Sequence, residues 1–100
     1  MNQTIFVTAE LRMNSAKPRS EVIQTIKQYC LEMESEAGCL QAIATFDEKE
    51  PRRAMLWERY EDRAAIDAHF TMPHTQAFIA SDTAELVQFF ETTEEGETAR

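Results

Sequence analysis

The sequence predicts an α+β fold built on one antiparallel sheet of four strands. Three observations carry this reading. Four segments show two-residue apolar alternation, two longer ones place apolar residues every three or four positions, and a short polar turn joins the second and third alternating segments directly.

Residues 4–12 set Ile5, Val7, Ala9 and Leu11 on one face, the period of a half-buried strand, with Phe6 on the other. Asn14-Ser15-Ala16-Lys17-Pro18 breaks the pattern, and Pro18 suits a first helical turn because its missing N–H leaves no bond unmade. Val22, Ile23, Ile26, Tyr29, Cys30 and Met33 then recur at helical steps, with Glu21, Lys27, Gln28, Glu32 and Glu34 opposite. This is an amphipathic helix of about four or five turns. Gly38 is expected to end it as a left-handed cap.

Cys39 to Phe46 reads as a second strand, with Leu40, Ala42, Ala44 and Phe46 in alternation. After the turn Asp47-Glu48-Lys49-Glu50-Pro51, Arg53 to Tyr60 forms a third. It sets Ala54, Leu56, Glu58 and Tyr60 against Met55, Trp57 and Arg59. Large groups on both faces predict a sheet covered on both sides. Asp62 can cap a second helix running to Met72, with Ala65, Ile66, His69 and Phe70 on one side. Pro73 ends that helix or starts a fresh turn, and His74 to Ile79 reads as a short further helix. Ala84 to Glu91 alternates as the fourth strand, Leu86, Gln88 and Phe90 against Val87 and Phe89. One domain is expected over residues 1–92, with the acidic residues 93–100 as a flexible tail.

The resulting βαββαβ order is the ferredoxin-like arrangement, with the helices on one sheet face. A second copy of the sheet is the economical cover for the other face, so a homodimer is expected.

Composition narrows the partners. The 18 acidic and 10 basic residues give a formal charge of −8, and Arg52-Arg53 is the closest basic pair. Such a surface is repelled by nucleic acid and by anionic membranes. No apolar run approaches the ~20 residues of a membrane span. The N-terminal residues enter a strand pattern without the features of a signal peptide, which points to the cytoplasm. Cys30 and Cys39 lie in different elements without a CxxC, as structural thiols in a reducing compartment would.

Three motifs then become recognisable. Glu36-Ala37-Gly38-Cys39-Leu40 resembles the E-x-G-C-L turn of antibiotic-biosynthesis monooxygenase domains. Leu56-Trp57-Glu58-Arg59-Tyr60-Glu61-Asp62 resembles their third-strand E-x-[WY]-x-D segment, and Ala64 to His74 their A-x-x-x-H-x-x-x-P-H helix. The resemblance implies a dimeric α/β barrel, sheet against sheet, with a pocket between sheet and helices in each subunit. It also implies oxidation of a phenolic or quinol substrate by dioxygen without metal or flavin. Other members isomerise a small phosphorylated compound or degrade haem, so fold does not fix function. Ala42 departs from the tyrosine many members carry there. Leu11 and Ile79 occupy the positions of the asparagine and haem-ligand histidine of the haem-degrading branch, which sets that activity aside.

Cofactor-free oxygenation needs a base to make an electron-rich anion, and a dry pocket where dioxygen takes an electron from it. His69 is the candidate base, because imidazole changes protonation near neutral pH and this one borders an apolar helix face. A structural histidine bonded to Glu58 or to a carbonyl is the alternative. Glu58, a carboxylate that needs a partner if buried, either orients His69 or forms a structural ion pair. His74 is a pocket-rim or capping residue. Trp57, Tyr60, Phe70 and Phe78 can wall a pocket for a flat ring, or fill core and interface. No metal site is expected, since His69 and His74 stand five apart rather than i, i+4 and no clustered carboxylates complete a set. The expectation is a cofactor-independent monooxygenase using His69 and Glu58 on a small aromatic or quinol substrate and dioxygen. An isomerase or a non-catalytic dimeric binding protein is the alternative.

Overall fold

Seven elements follow one another in a computed structural model that describes residues 3–94. They are β1 (Ile5–Met13), α1 (Arg19–Glu34), β2 (Cys39–Phe46), β3 (Arg53–Tyr60), α2 (Arg63–Thr71), α3 (Pro73–Ala80) and β4 (Ala84–Thr93). The strands form one sheet in the order β2-β3-β1-β4, every neighbouring pair antiparallel. This is the ferredoxin-like α+β arrangement. Among the described residues no helix is long and apolar enough to cross a membrane.

Burial divides the sheet into two unlike faces. Ile5, Ala9, Leu11 and Met13 of β1 and Ala54, Leu56 and Tyr60 of β3 join Val22, Ile26 and Met33 of α1 in the core. Pro18 sits at the N-cap of α1, where its ring fixes φ at −56° and its carbonyl oxygen accepts the first helical bond from the Val22 N–H at 3.1 Å. Across the other face run Ile43, Trp57, Thr8 and Phe90, one residue from each strand in register.

Two bulges reset the alternation read from the sequence. Cys39 pairs with Tyr60 but Gln41 with Arg59, so Leu40 is the extra residue and stays exposed while Cys39 and Ala42 are buried. Glu10 pairs with Gln88 but Leu11 with Leu86, which makes Val87 the extra residue of β4. Leu86 and Phe89 therefore share the helix-side face, and Phe90 points to the other. An inserted residue in one strand shifts every later side chain to the opposite face.

The ends of α1 and β4 also differ from expectation. No glycine among the described residues has positive φ, so Gly38 is not a left-handed cap; α1 ends in a right-handed Ser35 whose N–H reaches Glu32 O, while the Glu36 N–H reaches Met33 O. Gly38 is needed for close approach instead, because a Cβ there would run into Ala65 Cβ of α2. β4 extends to Thr93, two residues beyond the expected strand. Of the tail expected at 93–100, residues 95–100 lie outside the described residues.

Candidate active site

A pocket of about 300 Å³ opens between the sheet and the helices. Val7, Ala9 and Leu11 of β1 and Leu56, Glu58 and Tyr60 of β3 form its floor. Tyr29 of α1, Ile66, His69 and Phe70 of α2, and Thr75 and Phe78 of α3 close it from above, and Leu86, Phe89 and Glu91 of β4 flank it. Its size is at the small end of ligand pockets, and its walls are mostly apolar.

His69 is placed by the capping of α2. Asp62 accepts the Ala65 N–H at 2.9 Å, so the helix starts at Arg63 and turns Ile66 and His69 inward. The imidazole is 5% exposed. Its Nδ1 lies 2.9 Å from Glu36 Oε2 and 3.2 Å from Oε1. Its Nε2 lies 3.4 Å from the Tyr29 hydroxyl, which in turn donates to Thr75 Oγ1 at 3.4 Å. A neutral His69 donating Nδ1–H to the carboxylate keeps a lone pair on Nε2.

Glu36, the partner of His69, is a residue of this cluster that the sequence patterns did not single out. It sits in the turn between α1 and β2, where Glu36 N–H donates to Met33 O and Cys39 N–H to Glu36 O. A signal was present: Val22, Ile26, Tyr29, Met33 and Glu36 follow one another at steps of four and three. A carboxylate on an apolar stripe implies a buried partner. The close contact of Gly38 with Ala65 holds α2 against this turn and brings that partner within reach.

His74 belongs to the same cluster, with Nε2 2.6 Å from Glu36 Oε2. The two histidines, five positions apart in the sequence, are thus brought together on one carboxylate. Glu36, His69 and His74 offer three donor atoms within 4.8 Å of one another. The i, i+4 rule assumes one continuous helix, but the chain breaks between the two histidines. Pro73 disfavours helical geometry in the residue before it, and Met72 is extended at ψ 141°. α3 then starts afresh at Pro73. His74 faces a groove between α1 and α3 with Gln28, Tyr29 and Glu32, rather than the pocket rim.

Glu58 lies in the pocket floor as expected, but its partner is Tyr60, whose hydroxyl donates to Oε1 at 2.6 Å. It is Glu36, not Glu58, that holds His69 by hydrogen bonds. Burial pushes the Glu58 carboxyl above the usual carboxylate range, an effect the Tyr60 bond and His69 partly offset. Burial, the Glu58 charge and the bond to Glu58 all raise the Tyr60 phenol. Burial also raises the Tyr29 phenol and pushes the free Cys30 and Cys39 thiols up to about 12 and about 11. Neither thiol is disposed to act as a nucleophile.

Tyr60, Phe70 and Phe78 line the pocket, and Phe78 stacks on Tyr29 with ring centroids 4.1 Å apart. Trp57 does not. It stands on the opposite sheet face, where its indole N–H donates to Thr45 Oγ1 at 2.8 Å, because strand alternation separates it from Leu56 and Glu58.

Residues 4–81 match the model of the family described as antibiotic biosynthesis monooxygenase. The chain is 36% identical over 70 residues to the Bacillus subtilis protein YjcS, covering 70% of this chain and 67% of that one. A solved structure of protein YjcS superposes with a TM-score of 0.81 at 29% identity, covering 89% of this chain and 96% of that one. A Bacteroides thetaiotaomicron protein described as a possible oxidoreductase gives 0.81 at 18% identity, over 93% and 99%. A Chloroflexus aurantiacus protein described as a putative antibiotic biosynthesis monooxygenase gives 0.74 at 20%, over 90% and 91%. At those last two identities the likeness concerns the fold alone.

Proposed function

Since the chain belongs to the antibiotic biosynthesis monooxygenase family, we propose that it is a cofactor-independent monooxygenase of a small phenolic or quinol compound. The observation that carries this reading is the position of His69 between the Glu36 carboxylate and the apolar pocket. Glu36 holds the imidazole in the tautomer that keeps Nε2 as a proton acceptor.

The reaction needs no external reductant. In its keto tautomer the phenolic substrate carries an activated ring methylene, and His69 Nε2 takes a proton from it. The resulting anion passes one electron to dioxygen, and the radical pair joins to form a C–O bond. His69 returns its proton to give a hydroperoxide, which loses water and leaves a carbonyl. One oxygen atom ends in product and the other in water, so methylene plus dioxygen gives carbonyl plus water. Tyr29, Phe70 and Phe78 supply flat apolar walls that suit an aromatic ring. Glu58 and Tyr60 offer a polar contact at the floor for a substrate oxygen. The working form is a cytoplasmic homodimer joined through the open sheet face, where Trp57 contributes to the interface and not to substrate binding.

Oxygen uptake with a panel of quinols, comparing wild type with His69→Ala, tests the proposal. Equal uptake by both proteins, or none above the uncatalysed rate, removes it. His69-dependent exchange of a substrate C–H with deuterated solvent, without oxygen uptake, replaces it by an isomerase.

A further inference from the structure

We propose that Glu36, His69 and His74 bind one divalent transition ion of the Zn²⁺ type, and that the ion fixes His69 in the tautomer that cannot accept a proton from the pocket.

Two imidazoles and one carboxylate are a donor set that suits Zn²⁺ and neighbouring first-row ions. The three donor atoms already converge, Glu36 Oε2 lying 2.9 Å from His69 Nδ1 and 2.6 Å from His74 Nε2. Ligands about 2.0–2.1 Å from a tetrahedral ion stand roughly 3.3 Å from one another. Accommodating the ion thus asks the carboxylate to draw back by less than about 1 Å and the two imidazole nitrogens, which lie within 4.8 Å of each other, to take up the same spacing, and water can fill the fourth position. The side chains of His69 and Glu36 are 6% and 4% exposed, and that of His74 is 18% exposed. His74 is therefore the solvent-side ligand. Its groove, with Glu32 on one wall, gives a hydrated cation a way in, and the net charge of −8 favours a cation's approach.

Proton positions decide the consequence. An ion at His69 Nδ1 takes the lone pair there and leaves the ring proton on Nε2. The Tyr29 hydroxyl, 3.4 Å away, is placed to accept it, as the outer partner of a metal-bound histidine usually is. The pocket side of His69 then carries a hydrogen where a base needs a lone pair. The ion site stands on geometry alone; its effect on oxygenation rests on His69 being the base proposed above.

The test uses the whole chain, freed of metal by a chelator and titrated with Zn²⁺ by calorimetry. One ion per chain at micromolar concentration or tighter is expected, and Co²⁺ in its place should give visible d–d bands. His74→Gln should bind at least about a hundredfold more weakly, while Cys39→Ser should bind as wild type does. His74 is partly exposed, and circular dichroism verifies that its variant is folded. Nitrogen-detected NMR should show the His69 proton moving from Nδ1 to Nε2 as Zn²⁺ is added. No retention at micromolar Zn²⁺, or binding by His74→Gln within a few-fold of wild type, overturns the site. An unchanged His69 tautomer at saturation overturns the switch. Neither readout involves substrate, so failure of the oxygenase reading is seen separately, in oxygen uptake by the metal-free protein.

Discussion

The Tyr60 hydroxyl donates to Glu58 Oε1 at 2.6 Å inside the pocket, two residues along one face of β3. Burial raises the Glu58 carboxyl despite that bond and despite His69. A raised acid favours the folded state only while it is protonated. Below the ordinary carboxylate range both states hold the proton and nothing is lost. As pH rises past that range, the unfolded chain ionises first. Stability then falls by about 1.4 kcal/mol for each pH unit until the folded group ionises too, after which the loss is constant. Glu58→Gln keeps an acceptor for Tyr60 and removes the titration. Its stability relative to wild type should therefore grow from pH 4 towards neutrality, as measured by urea melts across that range. A gap independent of pH would show that Glu58 is not the titrating group.

The order of elements and the limits of β2 and β3 were legible because alternation and helical stripes are local patterns. What was not legible depended on single residues whose effect is set by contacts. Leu40 and Val87 look like ordinary members of their strands, yet each is the inserted residue of a bulge. Only pairing with a neighbour reveals it. Trp57 was assigned to the pocket as a large aromatic, although alternation with Leu56 and Glu58 already put it on the other face. Glu36 was hidden by distance, 33 positions from His69, and the meeting of His74 with that carboxylate by the helix break that precedes it.

Gly38 gives a sharper test of how the site is assembled. A Cβ at this position meets the Ala65 side chain of α2, so Gly38→Ala must push α2 away from the turn that carries Glu36. Overpacking of this kind costs about 1–3 kcal/mol. Ala65→Gly on the same chain should recover much of that loss, because it removes the colliding methyl. A double-mutant cycle by thermal or chemical denaturation measures the coupling. Additive losses would mean that the two residues do not touch.

The row Ile43, Trp57, Phe90 crosses the open sheet face, with these side chains 48%, 43% and 55% exposed. Apolar side chains aligned across three strands form a patch of the kind that marks an association surface. Wild type should sediment as a dimer at micromolar concentration, and Trp57→Glu should shift it to monomer by placing a charge in the middle of the row. A wild-type monomer under those conditions removes the interface.

Glu36 and His69 should separate in steady-state kinetics. His69→Ala removes the proposed base, with an expected loss of roughly a hundredfold to ten-thousandfold in kcat. Glu36 does not line the pocket and contacts the imidazole only at Nδ1, so under the proposed reaction it is a positioning residue. Glu36→Gln retains the shape and one acceptor oxygen but loses the charge that favours an imidazolium as the proton arrives. Its kcat should fall while KM stays within a few-fold of wild type, since the pocket walls are untouched. Equal damage to KM and kcat would indicate a distorted pocket and a purely structural role. A fall in kcat alone, in a protein whose melting curve is little changed, would place Glu36 in the proton-accepting pair.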